Sequence, residues 1–409
     1  MSLKRSLNLG KACDGEEDRL RRCRVMKKKK ESRAAEKLEL ELEEEEANKS
    51  LYICCLEHGS DWVAYVIRTI KLGDLLSSSS PEPLRLQQVA YKTGDDLPGS
   101  VGCGVMGSQI VFAGGLTPPS LLGLGAKSSK SVWHRHVYAF ETGGGSMIRK
   151  LDATLQQGKL YPLTVELGGK LYALSYRLVT DPPSFEVFDP KMGTWSALPQ
   201  PPFFQVGSPY YEHAPFSYAI AGTKMFVSHQ ECPVFCFDVA HPNGEWRLVP
   251  TMCQGGPFPF LRKSLVLDLP PDDNNKLMFA YTHERWRLRV YLMSLNENQE
   301  SITQIGDLSL PELPYEFGFP SACDFVHIGG HKACLVASQL GPPFGNENRY
   351  GLGTHKVQGV AMPFQYEYDI TKVDKKNCFT LQFMPTRIFE FHTNPPTTAF
   401  AETVGCFVL

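Results

Sequence analysis

No stretch of this chain approaches the ~18 consecutive apolar residues that a membrane-crossing helix requires. Its first residues are charged and polar, which argues against a secretory signal peptide. Net charge is also missing. The chain has 42 basic and 44 acidic side chains, a formal −2, too little to draw it as a whole to nucleic acid or an anionic membrane. Marks of catalysis are scarce. No GxSxG is present. Gly143-Gly144-Gly145 is not followed by Lys-Ser or Lys-Thr, so it reads as a turn rather than a phosphate loop. His283-Glu284 lies beside Trp286, but Arg287 stands where HExxH needs its second histidine. His134 and His136 alternate along one strand face, yet no carboxylate or cysteine at a useful spacing accompanies them. Cys232 and Cys236 have no second pair at zinc spacing. The 12 cysteines are scattered, many within apolar runs (Cys54, Cys55, Cys103, Cys334, Cys406). That is how reduced, buried thiols are distributed in a cytoplasmic or nuclear protein. The expectation is a non-enzyme with no catalytic residues, metal or cofactor.

What is plentiful is turn chemistry and strand-forming sequence: 35 Gly, 30 Pro, 42% hydrophobic and 11% aromatic residues. Residues 161–199 read as four short strands in a row. The first ends at Gly168-Gly169, where glycine tolerates the positive φ of a tight reversal. Pro190-Lys191-Met192-Gly193 then turns the chain so that Trp195 falls on the fourth strand. One such sheet cannot bury both faces, and the unit recurs. Ser50, Gln109, Lys170, Lys224, Lys276 and Lys332 each open an equivalent second strand, at steps of 59, 61, 54, 52 and 56 residues. In the copy at Lys276 the preceding turn reads as Asn274-Asn275. Four strands per period of about 50 residues predict a β-propeller.

The segment from Gly168 through Asp189 and Trp195 resembles a kelch repeat, whose pattern is a glycine pair, a tyrosine (here Tyr172), an acidic residue near a turn, then tryptophan. Residues 218–250 resemble it too, with Asp238 and Trp246 in the corresponding places. An earlier copy keeps Gly114-Gly115 but has Met147-Ile148 where a tryptophan is expected, and the copies from Lys276 and Lys332 lack both marks. The resemblance, to a plant kelch-like protein, covers residues 51–409 and implies an all-β kelch-type propeller. Both tryptophans would then wedge between neighbouring blades. Many kelch proteins carry an F-box or BTB domain, for which the residues before the propeller have neither pattern nor room. Some kelch propellers are copper or iron enzymes, whose ligand sets find no counterpart here.

Two domains are expected, residues 1–49 and 50–409. The first is a tail of like-charge blocks, disordered or transiently helical over 32–47. Lys27, Lys28, Lys29 and Lys30 with the preceding arginines suit a nuclear import receptor, or are a solvated basic run. In the second, residues 51–56, 63–72 and 84–91 supply only three strands of a blade, while residues 400–409 form a strand with nothing after it. A ring must hide its edges, so the last strand is expected to complete the first blade as its inner strand, giving six blades.

Residues 116–132 and 340–357 are long insertions between second and third strands, and 203–216 is an aromatic blade-to-blade link. Rigidly held loops of this kind are where binding concentrates. Phe203, Phe204, Tyr210, Tyr211, Trp286 and Tyr350 are candidate apolar anchors, and His213, Arg285, Arg287 and Arg349 candidate polar contacts. Ordinary packing is the competing role for each. The expected function is a non-catalytic protein-interaction scaffold or substrate-reading module. It would be a monomeric propeller with other proteins as partners, without a membrane and without a nucleic-acid role. The alternative is an enzyme or metal protein acting on a small molecule in the central channel. A pure binding ring would carry no cluster of titratable groups in that channel.

Overall fold

The computed structural model describes residues 45–409 except 60–61, 78–81, 95–96, 117–132, 177–181, 205–215, 230–231, 242–243, 261, 270–271, 283–285, 297–298, 314–321, 339–355, 370–377 and 394–399. The expected disordered tail and the import candidates Lys27–Lys30 therefore lie outside the described residues, apart from a helical turn at 45–48. Ser50–Leu409 forms one compact unit.

The blade built from Leu163–Leu167, Lys170–Leu174, Phe185–Asp189 and Thr194–Ala197 shows how the sequence makes its sheets. Gly168 and Gly169 take φ of 57° and 73° and close the first hairpin with Leu167 facing Lys170. Asp189 accepts the Lys191 N–H at 2.9 Å and pairs with Lys170 at 2.8 Å, and Gly193 follows at φ 67°. This fixes the turn that delivers Trp195. Leu171, Tyr172, Ala173 and Leu174 are all buried, because neighbouring blades cover both faces of the sheet. Trp195, 6% exposed, packs with Val111, Ala113 and Val137 of the preceding blade.

Six such sheets form a six-bladed propeller, and an apolar cluster fills each gap between neighbours. Counted along the chain, blade 1 is composite: Phe400–Val408, Ser50–His58, Val63–Lys71 and Gln87–Gly94. Leu51 faces Val408 and Glu57 faces Ala401 in an antiparallel register with one bulge at Cys54/Cys55. Phe400–Val408 is therefore the inner strand of the first blade, as expected from the three strands that blade has of its own. Blade 2 begins at Gly102–Met106, blade 3 at Leu163–Leu167, blade 4 at Ser217–Ala221, blade 5 at Leu265–Leu269 and blade 6 at Ala322–Gly329.

Three details differ from the sequence reading. Residues 84–91 are not one strand: Leu84–Arg85 pairs in parallel with Phe389 and Glu390 of blade 6, and Gln87–Gly94 starts afresh in blade 1. A short helix, Leu72–Leu76, carries the chain towards that crossing and buries Leu72 and Leu75 in the gap between blades 6 and 1. Asn274-Asn275 is not the turn of its hairpin. The strand Asp272–Thr282 runs through both residues and bulges where pairing jumps from Asp268–Lys276 to Leu269–Asp272. Blades 5 and 6 lack the fourth-strand tryptophan; their shared gap holds Phe279, Phe364 and Tyr366, the latter two at centroid distances of 5.2 Å from Phe279, with Trp286 packed against the cluster.

Charges cross these gaps too. Arg68 is buried against Glu57 at 2.6 Å, donates to the His392 carbonyl at 3.2 Å and lies 3.9 Å from the Phe391 ring, tying blade 1 to blade 6. Lys159 and Glu186 form a second fully buried pair at 2.6 Å, in which Glu186 also accepts the Gln156 and Gln157 N–H groups. Such pairs gain little over an apolar pair but leave a costly orphan when one partner goes.

Deleting residues 400–409 is expected to abolish the single cooperative thermal transition and raise hydrophobic-dye binding, followed by circular dichroism and fluorescence; an unchanged midpoint would rule out the closure. His58 supplies a pH test. Burial lowers its pKa from 6.5 to about 4. Its folded pKa thus lies below its unfolded one, so its contribution is complete above pH 6.5 and fades as pH falls towards 4. The gap is worth ~3 kcal/mol. Urea unfolding of wild type and His58→Gln should show the wild type losing about that much more stability across the window.

Candidate functional site

The inner strands of blades 1, 2, 3, 4 and 6 line the bore of the ring. Their close approach depends on glycine. A Cβ on Gly102 would sit 2.1 Å from the Pro162 carbonyl oxygen, and one on Gly104 2.7 Å from that of Thr164. Within the bore lies a cavity of about 460 Å³, with a second of about 240 Å³ adjoining it. The first is walled by residues at the leading ends of the inner strands, including Gly102, Thr164, Tyr218, Asp324 and Glu402. In antiparallel four-stranded blades that end shares a rim with the second-to-third connections and the blade-to-blade links.

A short added strand changes the character of this cavity. After blade 4 the chain seals the gap to blade 5 with Phe258 and Phe260, stacked at 4.7 Å. The Ser228 hydroxyl accepts the Phe258 N–H at 3.0 Å, and the Ser217 hydroxyl donates to the Phe260 carbonyl. The chain then runs as Arg262–Lys263 in parallel along the inner edge of blade 4, beside Ser217 and Tyr218. Arg262 adopts φ 65°, a left-handed conformation that a non-glycine residue rarely takes. Two cations thus stand in the bore.

They face two carboxyls. Asp324 accepts the Cys406 N–H through Oδ2 at 2.9 Å, while its buried Oδ1 lies 3.5 Å from Lys263 Nζ without a hydrogen bond. Glu402, on the ring-closing strand, is held above the usual carboxylate range by burial, with Arg262 drawing it back. Tyr218 is raised strongly, chiefly by burial and further by Asp324. Burial pushes the Cys323 thiol up to about 12. An aromatic wall completes the lining between the entries to blades 3 and 4. Tyr161 meets Tyr176 edge-on at 6.4 Å, and Tyr176 meets Phe216 at 5.6 Å. The bore is therefore not free of clustered titratable groups, which corrects the expectation for a pure binding ring. A two-residue parallel strand has no periodicity by which sequence could announce it, and Glu402 is one polar residue within a mostly apolar inner strand.

The residues singled out from sequence are placed differently. Phe203 and Phe204 are 3% and 4% exposed and pack with Phe216, Phe235 and Trp246 between blades 3 and 4, so neither is presented as an anchor. Their apolar mass is taken up by the gap it follows. Trp246 lies in the same cluster and donates Nε1–H to the Pro199 carbonyl at 3.0 Å. Trp286 is half-buried, packs edge-on against Tyr281 at 5.4 Å and donates to the Pro311 carbonyl at 3.2 Å. Arg287 pairs with Asp307 on the neighbouring strand. Tyr210, Tyr211, His213, Arg285, Arg349 and Tyr350 lie outside the described residues. His134 and His136 approach through Nδ1 atoms 3.4 Å apart. No group of three or more His, Cys, Asp or Glu side chains is arranged to hold a metal among the described residues. No helix among them is long and apolar enough to cross a membrane.

Solved structures similar to this chain include hydrazine synthase from Kuenenia stuttgartiensis, at 11% identity over 76% of this chain and 69% of that one, with a TM-score of 0.37. TolB from Acinetobacter baumannii is 9% identical over 83% and 66%, TM-score 0.37. Hsv2 from Kluyveromyces lactis is 12% identical over 81% and 97%, TM-score 0.32. At those values nothing of their function passes to this protein. No curated protein matches it in sequence. A family match does span most of the propeller, residues 49–368, so the chain belongs to the family described as "Protein of unknown function (DUF1668)".

Proposed function

We propose that the propeller is a non-catalytic protein-interaction scaffold that reads a partner on its loop-rich rim. One observation carries this: the blade topology gathers the second-to-third connections and the blade-to-blade links on one rim, and the bore cavity lies at the same end. Loops held by a packed ring can specify a partner at low ordering cost. The glycine pair, Asp189 and Trp195 support a kelch-type repeat as the origin of the blades. A role in binding rather than catalysis fits the bore chemistry. The raised Cys323 and Tyr218 groups stay protonated at neutral pH, so neither is an activated nucleophile. The basic run Lys27–Lys30 supports a nuclear as well as a cytoplasmic location. A second reading, a small molecule held in the channel, is favoured by the opposed charges around Arg262 and Glu402.

The rim reading is tested by shortening residues 117–132 and 341–353 in the full chain. A partner captured by the intact protein should bind the shortened one about tenfold or more weakly by titration, a loss of ≥ ~1.4 kcal/mol, while the thermal midpoint is kept. Equal affinity would overturn it. Replacing Lys27, Lys28, Lys29 and Lys30 with alanine should move the tagged chain from nucleus to cytoplasm in cell imaging, and an unchanged distribution would remove the import role.

A further inference from the structure

We propose that the bore cavity is a binding site for a small zwitterion of the amino-acid class, with its carboxylate on Arg262, its ammonium group on Glu402 and Asp324, and an apolar side chain against Tyr161 and Tyr176. A cavity of about 460 Å³ lies in the range of small-molecule pockets. Its charges decide the ligand. A simple anion would meet the Glu402 and Asp324 carboxyls, and a simple cation would meet Arg262 and Lys263. Only a molecule carrying both signs at short separation satisfies the two sides together.

The groups are also left incomplete by the protein itself. Asp324 Oδ1 is buried without a hydrogen bond, although Lys263 lies 3.5 Å away. Among the described residues no hydrogen bond joins Glu402 to Arg262, although the guanidinium is near enough to draw the carboxyl's affinity for protons down. Buried polar atoms in folded proteins are normally paired, so a ligand that donates here recovers a real desolvation cost. Arg262 holds its left-handed φ of 65° on a strand of two residues, the kind of strain that accumulates at ligand clamps. On the aromatic wall, Tyr161 also has a positive φ, 41°, and is 42% exposed at the cavity. Two strained non-glycine residues thus line one cavity, Tyr161 at the entry to blade 3 and Arg262 on the inner edge of the neighbouring blade 4.

The site does not depend on the rim reading, since none of its named residues lies in the segments 117–132 and 341–353 on which that reading is tested. Titration calorimetry on the full chain tests it with L-phenylalanine and its two halves, 3-phenylpropanoate and 2-phenylethylamine. Saturable one-to-one binding of phenylalanine is expected, with each half weaker by about tenfold or more. Arg262→Gln and Glu402→Gln should each weaken phenylalanine by a similar factor, while Glu402→Gln leaves phenylpropanoate no weaker. If a variant fails to fold, the wild-type comparison of whole and halves still decides. No saturable binding of phenylalanine, leucine or phenylalanyl-leucine at several millimolar would overturn the proposal, as would halves that bind as well as the whole. Either result would leave partner capture by the rim loops untouched, and loss of that capture would leave this site untouched.

Discussion

The structure depends on one pairing, that of the strand Phe400–Val408 with Ser50–His58. The other blades draw their four main strands from consecutive chain through local hairpins, with only the short strands Arg262–Lys263 and Leu84–Arg85 added in parallel to blades 4 and 6. Blade 1 must bring together residues about 350 apart, so its formation carries the loop-closure entropy of the whole ring. Once made, it removes the two free sheet edges a chain of blades would otherwise expose. It also completes the gaps on both sides of blade 1. The cluster shared with blade 6 includes Ala401 and Cys406, and the cluster shared with blade 2 gains Val404 and Phe407. The hydrophobic effect in this protein acts mainly between sheets, so a missing blade would strip two gaps at once.

The same strand also furnishes the bore. Glu402 and Thr403 are wall residues, Thr403 accepts a hydrogen bond from Ser338 at 2.8 Å, and the Cys406 N–H holds Asp324. Closure of the ring and construction of the cavity are therefore one event. Arg262 and Lys263 arrive from elsewhere, on a strand with almost no pairing of its own, and take their position from Phe258, Phe260 and Ser217. The scaffold is thick where it carries load and thin where it presents charge.

Much of this was legible in the sequence because it rests on local chemistry. Gly168-Gly169, the Asp189 turn and Trp195 announce a blade, their recurrence announces the ring, and a first blade with only three strands of its own announces how it closes. What could not be read depends on tertiary neighbours. Leu84–Arg85 looks continuous with the strand after it, and only the edge of blade 6 draws it away. Phe203 and Phe204 carry the same composition whether they face solvent or a gap between blades. The Asn274-Asn275 pair has turn chemistry, yet pairing of Asn275 with Ser294 extends the strand through it. The bore was the least legible part, since its two cations come from one link and its two carboxyls from two other blades, and no short window contains two carboxyls or a cation with its counter-ion.

The excursion of Leu84–Arg85 to blade 6 has a mechanical consequence. The first and last blades are joined at the inner radius, where Phe400–Val408 leaves blade 6 for blade 1, and again at the outer radius, where Leu84–Arg85 leaves blade 1 for blade 6. A seam stitched along one line can swing open like a door. One stitched at both radii in opposite directions cannot hinge, because rotation about either stitch stretches the other.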